Sequence, residues 1–149
     1  MSKQWIMIAD RSRARIFESD RNFDELREIE DLLNPQGRQN DAELHHDAKG
    51  RYYGRGKPHQ GDTAESPVSQ REHHEEAFSR RLIQLLAEGC DKQRYNSLVM
   101  VAPPEFLGFL RKHVPKRVEQ HITGQLHNNL SSLPIREIGT YLKKHLQIA

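Results

Sequence analysis

The residues best suited to chemistry lie in one polar stretch, Lys49-Gly50-Arg51-Tyr52-Tyr53-Gly54-Arg55-Gly56-Lys57-Pro58-His59-Gln60-Gly61. Lys49, Arg51, Arg55 and Lys57 are cations with no acid among them, the composition that meets a phosphate backbone and releases its counterions. Tyr52 and Tyr53 add two π-faces on which unpaired bases can stack. Contact with RNA is therefore the chemistry this stretch suggests. Solvated segments that bury no core are also rich in Gly, Lys and Gln, so composition alone supplies a competing, purely structural account.

Asp10 closes an apolar run and Glu105 follows another. In an open α/β sheet both would stand where ligands gather, outside the carboxyl ends of the strands. Two carboxylates there could bind Mg²⁺ as in a metal-dependent nuclease. The opposing account is that Asp10 caps a hairpin turn and Glu105 favours a helix N-terminus. No third carboxylate is well placed, so no metal or other cofactor is assigned. Nine histidines include the adjacent pairs His45-His46 and His73-His74. Neighbours on a helix diverge by about 100°, and these spacings match no zinc pattern. Cys90 has no evident base beside it for a nucleophilic role, and as the one cysteine it excludes an internal disulfide. Arg111-Lys112-His113 and Lys116-Arg117 form a second basic group on consecutive turns. A solvated helix face accounts for such a run, unless it shares a surface with Arg51, Arg55 and Lys57.

These residues need a scaffold, and 149 residues suffice for one ordinary domain spanning 1–149. Trp5 to Ala9 and Leu98 to Ala102 are apolar at every position, which in short runs predicts central strands buried on both faces. Asp10-Arg11-Ser12-Arg13 supplies a tight hairpin into a second strand over Ala14–Glu18. Leu26, Ile29, Leu32 and Leu33 fit a helical period better than alternation. A polar, irregular segment follows at about 34–70, longer than ordinary connections. A helix is predicted from about Gln70 to near Gly89, with His74, Phe78, Leu82, Leu85 and Leu86 on one face. Pro103-Pro104 opens another helix, Pro115 interrupts it or starts a short one through Val118, and Ile122, Gly124 and Leu126 alternate as a last strand. Ser131-Ser132-Leu133-Pro134 leads into a terminal helix with Ile135, Ile138, Leu142 and Leu146 along one side. The fold class is thus α/β, a mixed five-stranded sheet built as an antiparallel meander and then αβαβα, with helices on both faces. Right-handed crossovers give it ribonuclease H-like connectivity.

Three segments occur in an order that carries a resemblance: Trp5-Ile6-Met7-Ile8-Ala9-Asp10-Arg11-Ser12-Arg13-Ala14-Arg15-Ile16-Phe17, then Asp47-Ala48-Lys49-Gly50-Arg51, then Leu98 through Pro103-Pro104-Glu105-Phe106-Leu107-Gly108-Phe109-Leu110-Arg111. The chain resembles the bacterial family called host attachment proteins over nearly its whole length. The matching motif residues are Asp10, Arg11, Asp47, Gly50, Arg51, Pro103, Pro104, Phe106, Leu107, Gly108 and Arg111. The resemblance implies that Leu26–Leu33 is a third strand, against its periodicity. That family is similar in turn to the middle domain of eukaryotic and archaeal peptide-chain release factors, which carry Gly-Gly-Gln where this chain has its basic stretch. Gly54-Arg55-Gly56 matches the approach to that tripeptide, but Lys57 and Pro58 follow, and Gln60 is the only glutamine near. Lys57 and Pro58 do not reach freely the backbone conformations that two glycines would, so Asp10 and Gln60 stay weak catalytic candidates and catalysis is not expected.

The resulting expectation is an RNA- or ribosome-associated factor without a hydrolytic tip, using Lys49, Arg51, Tyr52, Tyr53, Arg55, Lys57, Arg111 and Lys112. Two other classes compete with it: an indirect or regulatory factor in host attachment acting through protein partners, and a ribonuclease H-like nuclease. A net charge of +2 imposes no global field. Apolar runs are too short for a signal peptide or a membrane span, so the expected location is the cytoplasm, away from membranes. The sequence leaves the oligomeric state open.

Overall fold

The computed structural model describes residues 3–20, 22–35 and 67–146. The strands are β1 (Gln4–Ala9), β2 (Arg13–Ser19), β3 (Arg27–Leu33), β4 (Ser97–Val101) and β5 (Ile122–Leu126). The helices are α1 (Pro67–Asp91), α2 (Pro104–His113), α3 (Lys116–Glu119) and α4 (Ile135–His145). The sheet runs β3-β2-β1-β4-β5, antiparallel through β1, β2 and β3 and parallel through β1, β4 and β5. This is the meander and crossover order the sequence predicts. Every residue of β1 is buried, as its uninterrupted apolar run requires of a strand covered on both faces.

Alternation along β1 and β4 divides the core between two faces. Trp5, Met7, Leu98 and Met100 pack with Phe78, Leu82 and Leu86 of α1, Phe106 and Leu110 of α2, and Val118 of α3. Ile6, Ile8, Val99 and Val101 pack on the other face with Ile138 and Leu142 of α4. Among the described residues, α1, α2 and α3 therefore cover one face and α4 the other.

Two bulges account for the misleading periodicities. In β3 the register against β2 slips between Ile16 and Phe17, so that Glu30 pairs with Ile16, Glu28 with Phe17, and Ile29 is the extra residue. The slip shifts the side-chain phase by one, so Ile29 and Leu32, three apart, both pack on the α1 face. What looks helical is a strand carrying one bulge. In β5 the slip leaves Thr123 over between Ile122 and Gly124. Ile122 accordingly packs on the α1 face and Leu126 on the α4 face, correcting the simple alternation expected of that strand.

α1 also runs past its expected bounds, from Pro67 to Asp91 rather than from about Gln70 to near Gly89. Gly89 is not its terminator. The Arg94 N–H donates to the Gly89 carbonyl at 2.8 Å and the Gln93 N–H to the Cys90 carbonyl at 3.0 Å, a Schellman ending with Gln93 left-handed at φ 56°. Gly89 is small because the Trp5 indole lies on it; a Cβ there would stand 2.7 Å from two ring carbons. Gly89→Ala is therefore expected to cost about 1–3 kcal/mol through overpacking against a rigid ring. Gln93→Gly should raise stability by up to about 1 kcal/mol, because glycine relieves the left-handed strain. Urea unfolding midpoints at constant slope would check both signs.

Candidate functional site

The carboxyl ends of β1, β4 and β5 lie at one edge of the sheet, and Asp10 stands at its centre. Its Oδ1 accepts hydrogen bonds from the Ser12 N–H at 2.9 Å, the Ser12 hydroxyl at 3.1 Å and the Arg13 N–H at 2.9 Å. The Asp–x–Ser–Arg spacing produces this because an Asx side chain readily closes the turn that follows it. Oδ2 accepts from the Ser131 hydroxyl at 2.8 Å, tying the hairpin to the segment between β5 and α4. Ser131 Oγ also lies 2.8 Å from Asn129 Oδ1, which receives the Ser131 N–H at 3.1 Å. The single hydroxyl proton goes to the carboxylate, the stronger acceptor.

Two arginines on β2 complete the arrangement. Arg13 Nε and Nη2 donate to Asp31 of β3 at 2.9 and 2.8 Å. Arg15 Nε and Nη2 donate to Glu28 of β3 at 3.0 and 3.1 Å, while its Nη1 donates to the Ser131 and Leu133 carbonyls at 3.2 and 2.8 Å. Arg15 is only 8% exposed, and its guanidinium carbon lies 5.0 Å from the centre of the Phe17 ring. The Arg13 guanidinium holds the Asp31 carboxyl below the usual carboxylate range, chiefly through its hydrogen bonds. Those same bonds raise Arg13.

Two clefts open on either side of Asp10. One, of about 540 Å³, is lined by Asp10, Ser12, Arg13, Asp31, Leu33 and the Ser131–Ser132 pair. The other, of about 300 Å³, includes Asp10, Arg11, Glu75, Glu105, Phe106 and Asn129. The structure thus brings together the two carboxylates singled out from the sequence, at one rim. Among the described residues, however, no three His, Cys, Asp or Glu side chains converge as metal ligands would, and both Asp10 oxygens are already hydrogen-bonded. The arrangement fits a hub that fixes backbone segments better than it fits a metal centre.

The same rim anchors both chain ends that flank the basic stretch. The Asn34 N–H donates to the Ser12 carbonyl at 2.9 Å, and the Asn34 side-chain amide donates to the Arg11 carbonyl at 2.9 Å. On the returning side the buried Glu75 lies 4.0 Å from Arg11 and 3.7 Å from Arg71. Lys49, Arg51, Tyr52, Tyr53, Arg55, Lys57 and Gln60, with Asp47, Gly50 and the His45-His46 pair, lie outside the described residues.

Arg111 and Lys112 are exposed at the end of α2, and Lys112 Nζ lies 5.6 Å from the centre of the Phe109 ring. Their neighbours differ: His113 faces Glu76 of α1 at 3.3 Å, and Arg117 pairs with Asp91 at 2.7 Å. The basic run is therefore partly a set of interhelical contacts. Pro103 and Pro104 cap and open α2, and Phe106 and Leu107 are buried on its inner side. At Gly108 a Cβ would meet nothing within 4 Å. His73 is exposed and its ring centre lies 5.9 Å from that of His74, and among the described residues no third ligand joins them. Cys90 is half-buried, its Sγ 3.6 Å from the Arg117 carbonyl.

Arg15, Glu28, Asn34 and Ser131 are the site residues that sequence reasoning missed. An arginine between Ala14 and Ile16 in a buried strand was the available signal, since a charge there must find partners.

A family model described as "Protein required for attachment to host cells" matches residues 5–142. No curated protein matches the chain. Among solved structures, the crystal structure of an archaeal translation termination factor is similar over 95% of this chain and 37% of its own, at 11% identity and a TM-score of 0.46. The chain spans little more than a third of that factor's length.

Replacing Arg15 by Met keeps the aliphatic stem but leaves Glu28 and two carbonyls unmet, and it is expected to cost about 2–3 kcal/mol in denaturant unfolding. The Asp31 pair makes a further, pH-dependent contribution. Because folding lowers the Asp31 pKa, its contribution is complete above the ordinary carboxylate value and is lost as pH falls through the lower folded value. Asp31→Asn should flatten that acid limb in thermal unfolding while changing its shape little near neutrality.

Proposed function

The chain belongs to the family of proteins required for attachment to host cells, and we propose that within it this protein is an RNA- or ribosome-associated cytoplasmic factor. Its contact element is the basic stretch Lys49–Gly61, with Arg51, Arg55 and Lys57 meeting phosphates and Tyr52 or Tyr53 stacking on a base. The single observation that carries this reading is the anchoring of both flanks of that stretch on one rim, through Asn34 on one side and Glu75 on the other. A contact element needs such a base, because ordering a tether at binding costs conformational entropy.

Arg111 and Lys112 support the reading from the neighbouring helix. His113 places the end of α2 beside Glu76 of α1, about two and a half turns from the start of that helix at Pro67. Exposed cations there would extend the surface offered to a phosphate backbone. The reading does not require hydrolysis, since Lys57 and Pro58 stand where a Gly-Gly-Gln tip would need its glycines. Among the described residues no helix is long and apolar enough to cross a membrane.

Co-sedimentation with ribosomes and with structured RNA tests the proposal. The triple change Arg51→Ala, Arg55→Ala and Lys57→Ala should weaken binding across all sequences and lower the salt slope by about 2–3. Replacing Arg111 and Lys112 by Ala should produce a smaller loss in the same direction. Binding indifferent to both sets, or a surface-exposed pool in fractionated cells, would overturn it.

A further inference from the structure

Resting on the RNA-contact reading above, we propose that Gly108 is the point at which a phosphate backbone lies flush against α2, within reach of Arg111 and Lys112. Gly108 sits in the middle of that helix, which runs Pro104–His113. Glycine in a helix interior destabilises it, because it gives up more conformational freedom than alanine and brings no side chain to pack. A reason for glycine at that position is therefore required.

The other described glycines show theirs. A Cβ would stand 2.7 Å from the Trp5 ring at Gly89, 3.1 Å from Leu146 at Gly124 and 3.0 Å from the Phe23 carbonyl oxygen at Gly139. At Gly108 it would meet nothing within 4 Å, and no glycine among the described residues has a positive φ. Neither the packing of the described chain nor its backbone conformation calls for glycine at 108. What remains is the outside, where a residue with no side chain admits another molecule to the helix backbone.

Charge identifies that molecule. Phe106, Leu107 and Leu110 are buried on the inner side of α2, while Gly108, Arg111 and Lys112 are exposed on the outer side. Spacings of three and four make both cations immediate neighbours of the glycine on the helix surface. Among the described residues neither has a carboxylate within ion-pair distance. Glu105, exposed one turn before Gly108, puts an acid at the start of the stripe and confines an anion to its last two turns. An acidic protein carries its charge at the tips of side chains, which reach an exposed arginine or lysine without bringing the two main chains together. A nucleic acid carries it on the backbone itself, so phosphates that meet Arg111 and Lys112 bring the sugar chain against the helix. A bare position beside two cations fits the nucleic acid.

Binding of ribosomal RNA by the full chain is the test, with Gly108→Ala and Gly108→Gln beside wild type. Gly108→Ala should raise the thermal unfolding midpoint by about 2–4 °C, since alanine is the better helix former. Affinity for ribosomal RNA should fall in the same stabilised variant, and by about tenfold or more in Gly108→Gln, the equivalent of ~1.4 kcal/mol of lost contact. The salt slope should drop by about 1–2 in Gly108→Gln, as Arg111 and Lys112 are held off the phosphates. Polyglutamate, as the acidic-protein probe, should bind more weakly than RNA and without regard to residue 108. Unchanged RNA affinity in Gly108→Gln, a midpoint lowered by Gly108→Ala, or polyglutamate binding with the same dependence on residue 108 would each overturn the proposal. RNA binding lost in the Arg51, Arg55 and Lys57 variant but indifferent to residue 108 removes this proposal alone, whereas a wild type that binds no RNA removes both.

Discussion

Arg15 sets the constraint on which the carboxyl edge of this fold depends. On the α4 face, Arg15 is only 8% exposed, and its guanidinium has to be met by partners, because an unpaired buried charge would cost several kcal/mol. Glu28 meets it from β3 and the Ser131 and Leu133 carbonyls meet it from the segment before α4. The charge thereby fixes three parts of the chain that local propensity leaves undetermined. Asp10 repeats the device with opposite sign, gathering N–H and O–H donors from the β1–β2 turn and from Ser131. Neither interaction argues for exceptional stability, since a well-packed apolar replacement often does as well as a buried ion pair. Together they define where the β5–α4 segment sits, and hence the walls of both clefts.

How much could be read in advance follows from the range of the interactions. β1 and β4 were legible because burial on both faces leaves an uninterrupted apolar run, a purely local signature. β3 and β5 were misleading for a common reason: each contains a bulge, and one extra residue converts a period of two into a spacing that mimics a helix or hides a change of face. Gly89 was legible as a special residue but not as to its cause, because Trp5, far away in sequence, is what requires it. The true helix end uses Gln93 in a conformation that glycine usually supplies.

The candidate site divides along the same line. Asp10 and Glu105 were found from their positions after apolar strands, and both do line the smaller cleft. What they do there was not visible, because the partner that commits Asp10 is Ser131, more than a hundred positions away. Accepting backbone and hydroxyl donors gives Asp10 a structural part in tying the hairpin to the β5–α4 segment, and only tertiary contacts make that part visible.

Cations pose the mirror image of that problem. Composition counts Arg13, Arg15, Arg27 and Arg117 with the rest, yet each is spent on a carboxylate: Asp31, Glu28, Glu18 and Asp91 respectively. Lys143 is likewise held by Asp24. A phosphate can recruit such a residue only by displacing an existing partner, so its attraction to nucleic acid is largely cancelled. Arg111 and Lys112 have no carboxylate within ion-pair distance among the described residues, and the stretch from Lys49 to Lys57 contains no acid of its own. A chain with a net charge of only +2 can therefore still present a locally cationic surface. What gives such a chain an electrostatic partner is the placement of its unpaired cations, and among the described residues Arg111 and Lys112 at the end of α2 are two of them.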